Sequence, residues 1–504
     1  MSYKLVVKDA AWQLAGRVIS ALAWFLVIKI MSPYLGPLRY GDYSTILKYF
    51  AIWSALADFG LYVIAVKRLG SLKEIWNMTG LRDMYGKFMG TRYVSMITVY
   101  VVALVIAYFL PAYTSNPYLM YGLPIGMLFS ATFMGAGMNQ IPLQLFWKME
   151  QLSIGLVLAR IVQLGFLALL VFGLFPEMTF DGSQQSIWVF VGIISTVLAS
   201  GITQRIYVAW QSQRTLSLRL RFDRSFTRGI IWENRKYGLA YYLSSFHTLI
   251  VLLLLSNFFP TVDGYAYTGI WALALALIEI FLIIPASLGN SLLHKVSNYS
   301  VIQKCRSFGH LISINVVVGL FIAANFVLFS GFIIRIVWGS DYIGESLLAN
   351  PGANHILPFL GVVLLLSFIK QVYNYLFVSL EKQNVLFAIN IVGVIIWLAV
   401  ALYLIPRYAI VWGIITQVFL EILFVLGAIY VAWRNRISPI IPWRVLAIPF
   451  VLVAGSTVLA LLFYSPWDLG WWWFVLYAAV FNIVLLWAVY LPVKKIARGL
   501  TTDE

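Results

Sequence analysis

Apolar residues run along this chain in long blocks, closed by Lys, Arg, Pro or Gly, without the two-residue alternation of half-buried strands. The blocks fall near 10–31, 43–66, 92–111, 119–147, 152–175, 187–210, 237–259, 265–293, 308–330, 355–380, 384–405, 409–433, 444–464 and 470–491. Each reaches the length of about 20 residues that a helix needs to cross a bilayer. The pattern predicts an all-α polytopic membrane protein with fourteen transmembrane helices. Pro124, Pro142 and Pro285 are expected to kink their runs or mark their ends, and Gly135 and Gly137 are candidate bending points. Run 1 is too long for the apolar segment of a signal peptide and carries Arg17 and Lys29, so it is expected to remain as a helix.

Charge orients the runs. Of 35 Lys and Arg residues, 27 fall on one face if the runs alternate, three (Arg39, Arg335, Arg407) on the other, and five within runs. Basic loops stay on the cytoplasmic side, so both termini are expected there, in the plasma membrane. The net charge of +16 is then mostly this asymmetry, with attraction to anionic membrane lipids, and gives no reason to expect nucleic acid.

Composition narrows the chemistry. The chain is 62% apolar and 11% charged over 504 residues, with a mean hydropathy of +0.88, which leaves no room for a large soluble domain. One cysteine, Cys305, and scattered histidines at 247, 294, 310 and 355 offer no metal-ligand spacing. Neither a Walker A loop nor a GxGxxG after a strand is present, so no cofactor, metal or catalytic residue is expected.

The chain also repeats itself. Tyr40-Gly41-Asp42-Tyr43-Ser44 opens run 2 and Asp263-Gly264-Tyr265-Ala266-Tyr267 opens run 8. Glu150-Gln151 leads to Pro176 much as Glu381-Lys382-Gln383 leads to Pro406. Two six-helix lobes in parallel orientation are expected. They occupy 1–210 and 237–433, joined by a basic cytoplasmic linker at 211–236 and followed by two further helices and a tail in 434–504.

The stretch from Tyr34-Leu35-Gly36-Pro37 to Tyr40-Gly41-Asp42-Tyr43, with Ala57-Asp58-Phe59-Gly60-Leu61 after it, resembles the first signature of the polysaccharide and oligosaccharide flippases, the O-antigen type among them. Ile336-Val337-Trp338-Gly339-Ser340-Asp341-Tyr342 and Ile405-Pro406-Arg407-Tyr408-Ala409-Ile410-Val411-Trp412-Gly413 are similar to two later elements of that family, although Ala409 stands where the family has glycine. The family belongs to the multidrug/oligosaccharidyl-lipid/polysaccharide exporter superfamily. The resemblance implies a V-shaped pair of lobes around a cavity open alternately to either side. It also implies passage of a lipid-linked glycan to the outer leaflet, with glycan-assembly enzymes as candidate partners.

Ionisable groups inside the bilayer are costly and therefore default candidates for function. They are Arg17, Lys29, Lys48, Asp58, Arg160, Glu279, Lys370 and Glu421, with His247 beside them. Arg17, Lys48, Arg160 and Lys370 are the candidate ligands for an anionic lipid head, since guanidinium and ammonium groups give charge-assisted hydrogen bonds to phosphate. Asp58, Glu279 and Glu421 are candidates for coupling or for structural ion pairs, Asp58 with Arg17 and Glu421 with Lys370. Lys29 and Lys48 lie near run ends, where a lysine snorkels to water. Tyr241 and Tyr242 are candidates for stacking on sugar or for packing, and Trp471, Trp472 and Trp473 for an interfacial belt.

The leading function is thus a flippase for a polyprenyl-(pyro)phosphate-linked oligosaccharide. A cation-coupled drug exporter is the alternative, and would favour a net acidic cavity. A membrane-embedded glycan polymerase or ligase is a third; the outer loop 331–354, with Arg335, Asp341 and Glu345 and His355 at its end, holds no paired acidic motif for it.

Overall fold

The computed structural model describes residues 3–441 except 218–219, 260–261, 297–298 and 348–349, with isolated positions beyond; some helical side chains, chiefly within 3–17 and 236–249, are outside the description. The side chains of Arg17, Tyr241 and His247, and the expected runs 444–464 and 470–491 with Trp471, Trp472 and Trp473, therefore lie outside the described residues.

The chain begins with α1 (Tyr3–Asp58), two helical segments broken at Gly36, where φ is 64° and ψ 172°. That backbone region is nearly closed to residues with a Cβ. Pro37 follows, with its φ preset for a first helical turn and no N–H to leave unpaired. Phe59 and Gly60, both at positive φ, turn the chain into α2 (Leu61–Glu74). Next come α3 (Met78–Phe109), the single turn α4 (Pro111–Thr114) and α5 (Pro117–Leu145). Asn77 and Asn116 cap α3 and α5, their side-chain oxygens accepting from the N–H groups of Gly80 and Tyr118. α6 (Met149–Ala168) runs on as a π-helical stretch, Leu169–Leu174, before α7 (Gln184–Thr215).

The basic linker contains a short helix, α8 (Arg224–Glu233), which α9 (Arg235–Phe258) follows directly. Asp223 caps α8; the N–H of Phe226 and then the hydroxyl of Ser225 hold its carboxyl below the usual range. The run at 265–293 forms α10 (Val262–Phe281) and α11 (Ile283–Lys295), broken at Leu282 because Pro285 offers no N–H to the carbonyl of Phe281. α12 (Val301–Trp338) starts in a capping box of Ser300 and Gln303. α13 (Ala353–Ser379) and α14 (Gln383–Arg434) complete the described helices, α14 breaking at Ala409 with φ 51° and ψ −134°.

Each of the first twelve expected runs thus coincides with a helix or helical segment. Ten helices among the described residues are long and apolar enough to span a membrane, the first of them, Val18–Lys73, carrying runs 1 and 2 together. The basic stretch from Lys67 is largely helical: α2 reaches Glu74 and α3 starts at Met78, so most of its cations ride on helices. α5 runs without interruption through Pro124, Gly135 and Gly137. Gly135 lies against the Arg205 guanidinium and Gly137 against that of Arg92, so these glycines make room for two large cations.

The helices are apolar on their exposed faces as well as in the core, unlike those of a soluble bundle. On α3, Val94, Ile97, Val101 and Val105 form an exposed apolar stripe at helical spacing, while Met96, Tyr100, Ala103 and Ala107 face the protein. A stripe of this kind is satisfied by lipid. By contacts the chain divides into two compact units, Met1–Gly269 and Ile270–Glu504. Within the first, α5 packs on α7, and α1 packs on α6 and α9; within the second, α12 and α14 pack on α13. In the first unit Gly41 lies directly on the carbonyl of Tyr265 and Gly269 on that of Pro37, so α1 and the start of α10 meet backbone to backbone where any Cβ would overlap.

Candidate functional site within the helices

In the first unit, the aspartate of the Tyr40–Tyr43 stretch is fully buried. Asp42 accepts from Arg39 Nη1 at 2.9 Å and from Asn116 Nδ2 at 2.7 Å. The Arg39 guanidinium stacks 3.7 Å from the ring centre of Tyr118, whose hydroxyl shares a 2.7 Å hydrogen bond with Ser186. This network ties α1, α5 and α7 together at one end. Sequence reasoning counted Arg39 with the loops and passed over Asp42; the signal was the i,i+3 spacing just after a helix start.

Toward the other end of α1, Asp58 pairs with Arg92 of α3 at 2.7 Å, both side chains almost wholly buried. Arg92 was expected among the basic loop residues; the side chain of Arg17, the candidate partner of Asp58, lies outside the described residues. Arg205 of α7 donates to the Tyr93 hydroxyl at 3.2 Å on the far side of Gly135. A patch of Met89, Met96, Met134 and Met138 lies beside Arg92 and Tyr93. These polarizable side chains fill the irregular space that the guanidinium leaves.

Arg160 on α6 is different. It is half-buried, donates to Gln163 Oε1 at 2.7 Å, and interacts electrostatically with the buried hydroxyl of Tyr43. Both partners are neutral, and no acid pairs with Arg160 among the described residues. Lys48 is half-buried on α1 with partners of its own, whereas Lys29 is exposed on the first segment.

In the second unit Lys370 of α13 meets Glu421 of α14 at 2.7 Å, its ammonium also 5.0 Å from the ring centre of Phe424. Glu421 is 1% exposed. The ion-pair reading of Lys370 is therefore the geometry present. Glu279 sits on α10 with its side chain exposed, and takes part in a further interaction. Among the described side chains, Arg39–Asp42, Arg92–Asp58 and Lys370–Glu421 are ion pairs, while Arg160 is hydrogen-bonded to a neutral amide.

No family model matches the sequence, and no curated protein does. Solved structures do. The inward closed conformation of the lipid II flippase MurJ superposes with a TM-score of 0.61 at 11% identity, covering 99% of each chain. An inward-facing multidrug resistance MATE family transporter of the MOP superfamily gives 0.58 at 16% identity, over 85% of this chain and 98% of that one. A MOP superfamily transporter from Pyrococcus furiosus, described as having a binding pocket of reversed polarity, gives 0.54 at 15% identity, over 85% and 95%. At these identities the likeness is one of fold: the chain is a multi-span membrane protein with the fold of MOP superfamily transporters.

Proposed function

We propose that this protein flips a polyprenyl-(pyro)phosphate-linked oligosaccharide from the cytoplasmic to the outer leaflet of the plasma membrane by alternating access, with both termini cytoplasmic. The observation that carries the reading is the charge balance inside the helices. Asp42, Asp58 and Glu421 each face a cation, Arg39, Arg92 and Lys370. Among the described residues Arg160 donates to the neutral Gln163 and pairs with no acid. A first unit whose buried acids Asp42 and Asp58 are compensated while Arg160 has no acid among the described residues favours an anion, and a planar guanidinium suits the oxygens of a phosphate. On this reading Arg160, with Arg17 and Lys48, receives the phosphate head, and Lys370 is held in reserve for structure by Glu421.

The MATE neighbours support a second reading, a cation-coupled exporter, in which Glu279 would be the coupling acid. The two separate in proteoliposomes. The flippase reading expects a fluorescent lipid-linked oligosaccharide to become accessible to an impermeant reductant from both leaflets only when the protein is present. Proton-driven uptake of a soluble organic cation with no movement of the lipid would overturn it in favour of the exporter.

A further inference from the structure

The linker helix α8 has two unlike faces. Ile230 is buried, Phe226 packs edge-on against Phe88 of α3 at 5.2 Å between ring centres, and the hydroxyls of Thr227 and Thr91 share a 2.8 Å hydrogen bond. That face pins the helix to α3. Its acids are occupied: Asp223 caps the helix and lies 3.6 Å from Lys87, and Glu233 pairs with Arg68 at 2.6 Å.

The opposite face carries Arg224, Arg228 and Trp232, at successive turns of the helix, which line an open groove of about 710 Å³ together with Ser225 and Gly229. Neither arginine has an acidic partner among the described residues. Trp232 is 68% exposed, and the guanidinium of Arg235 stacks on its ring at 4.3 Å. Phe222, Ile231 and Leu220 are exposed alongside. A linker meant for water would not present this much apolar surface, and a core would not present bare guanidinium groups. Cations interleaved with an indole and aliphatic side chains match the boundary between headgroup and acyl chain.

We infer that the Arg224–Arg228–Trp232 face of α8 binds the phosphate headgroup of an anionic phospholipid from the adjoining leaflet. Four residues apart on a helix, the two guanidinium groups are separated along the axis by about 6 Å, close enough to share one phosphate. Gly229 leaves the headgroup free to approach the helix backbone between them. Trp232 then lies where the glycerol and upper acyl carbons would be. The helix would thereby fasten the linker to the bilayer through lipid it does not transport.

The test uses the full chain purified in neutral detergent and titrated with phosphatidylglycerol or phosphatidylcholine, bound lipids being counted by native mass spectrometry. Wild type should prefer phosphatidylglycerol. At about 1 kcal/mol per surface arginine, Arg224→Gln with Arg228→Gln should weaken that lipid about thirtyfold and leave phosphatidylcholine unchanged. Arg224→Lys with Arg228→Lys should fall between, and Arg436→Gln, elsewhere on the chain, should change nothing. Trp232→Ala should weaken both lipids. Equal phosphatidylglycerol binding by wild type and the glutamine pair would overturn the inference. So would displacement of the lipid by equimolar inorganic phosphate, which would make this a site for free anions. Tighter binding of a polyprenyl diphosphate, lost in the same variant, would reassign the face to substrate. None of these residues belongs to the in-span set, so this test can fail while the flippase reading stands.

Discussion

The two units treat a half-buried in-span cation in opposite ways. In the second, Lys370 is held by Glu421 and capped by Phe424; in the first, Arg160 rests on an amide and lies near a phenol. Bringing a charge into a low-dielectric interior costs several kcal/mol unless a counter-charge and hydrogen bonds offset it. Lys370 has its counter-charge in the fold. Arg160 lacks one among the described residues, and such a position is most useful when the missing charge arrives with a ligand. The difference teaches that in-span basic residues, uniform as letters, are told apart by what stands opposite: Lys370 has a fixed acid, whereas Arg160, with a neutral amide, is the one proposed to receive a ligand's charge.

The largest expected effect sharpens that division. Glu421→Ala leaves Lys370 buried alone and should cost about 3–5 kcal/mol, seen as loss of membrane abundance and a lowered thermal midpoint. Lys370→Met with Glu421→Leu should recover most of it. If the single variant is as stable as wild type, Lys370 is no strut and the contrast with Arg160 collapses.

The units also differ at their helix breaks. Gly36 and Ala409 both occupy positive φ, yet only one is glycine. Gly36→Ala should destabilise by about 1–3 kcal/mol, whereas Ala409→Gly should stabilise by about 1–2 kcal/mol, since it relieves a Cβ in a region L residues avoid. Thermal unfolding in detergent reads both, and equal signs would contradict the backbone assignment at Ala409.

The smallest effect lies outside the spans. The Asp223 carboxyl is held below its ordinary value of 3.8 in the folded protein, so the stability it lends α8 is present above about pH 4 and is lost as pH falls through the lowered value. Amide-exchange protection of α8, corrected for intrinsic rates, should drop over that window in wild type. In Asp223→Ala it should be low and flat.

Much of this was legible before any coordinates. Runs of 20 apolar residues have few ways to fold other than as helices in lipid, so the spans stood out. The break at Gly36 was written in Gly-Pro, and the glycine missing at Ala409 was visible by resemblance to a family. Partners were less legible. Arg92 sits at the edge of a basic stretch, and nothing local distinguishes it from the cations beside it; only the approach of α3 to α1 makes it the partner of Asp58. Asp42 was hidden by its closeness to a helix start, where an acid is ordinarily solvated. The packing boundary at Gly269 was not legible either, because it records which helices touch, whereas the repeat records their order along the chain.

The central claim is that Arg160 is a receptor for an anionic lipid head. It is tested by comparing wild type, Arg160→Lys and Arg160→Gln for membrane abundance, thermal midpoint and flipping of a lipid-linked oligosaccharide per molecule of protein. The account predicts that Arg160→Gln accumulates and melts like wild type but no longer flips the lipid, and that Arg160→Lys retains part of the activity. Collapse of abundance with full activity in the protein that remains would contradict it, and would make Arg160 a strut like Lys370.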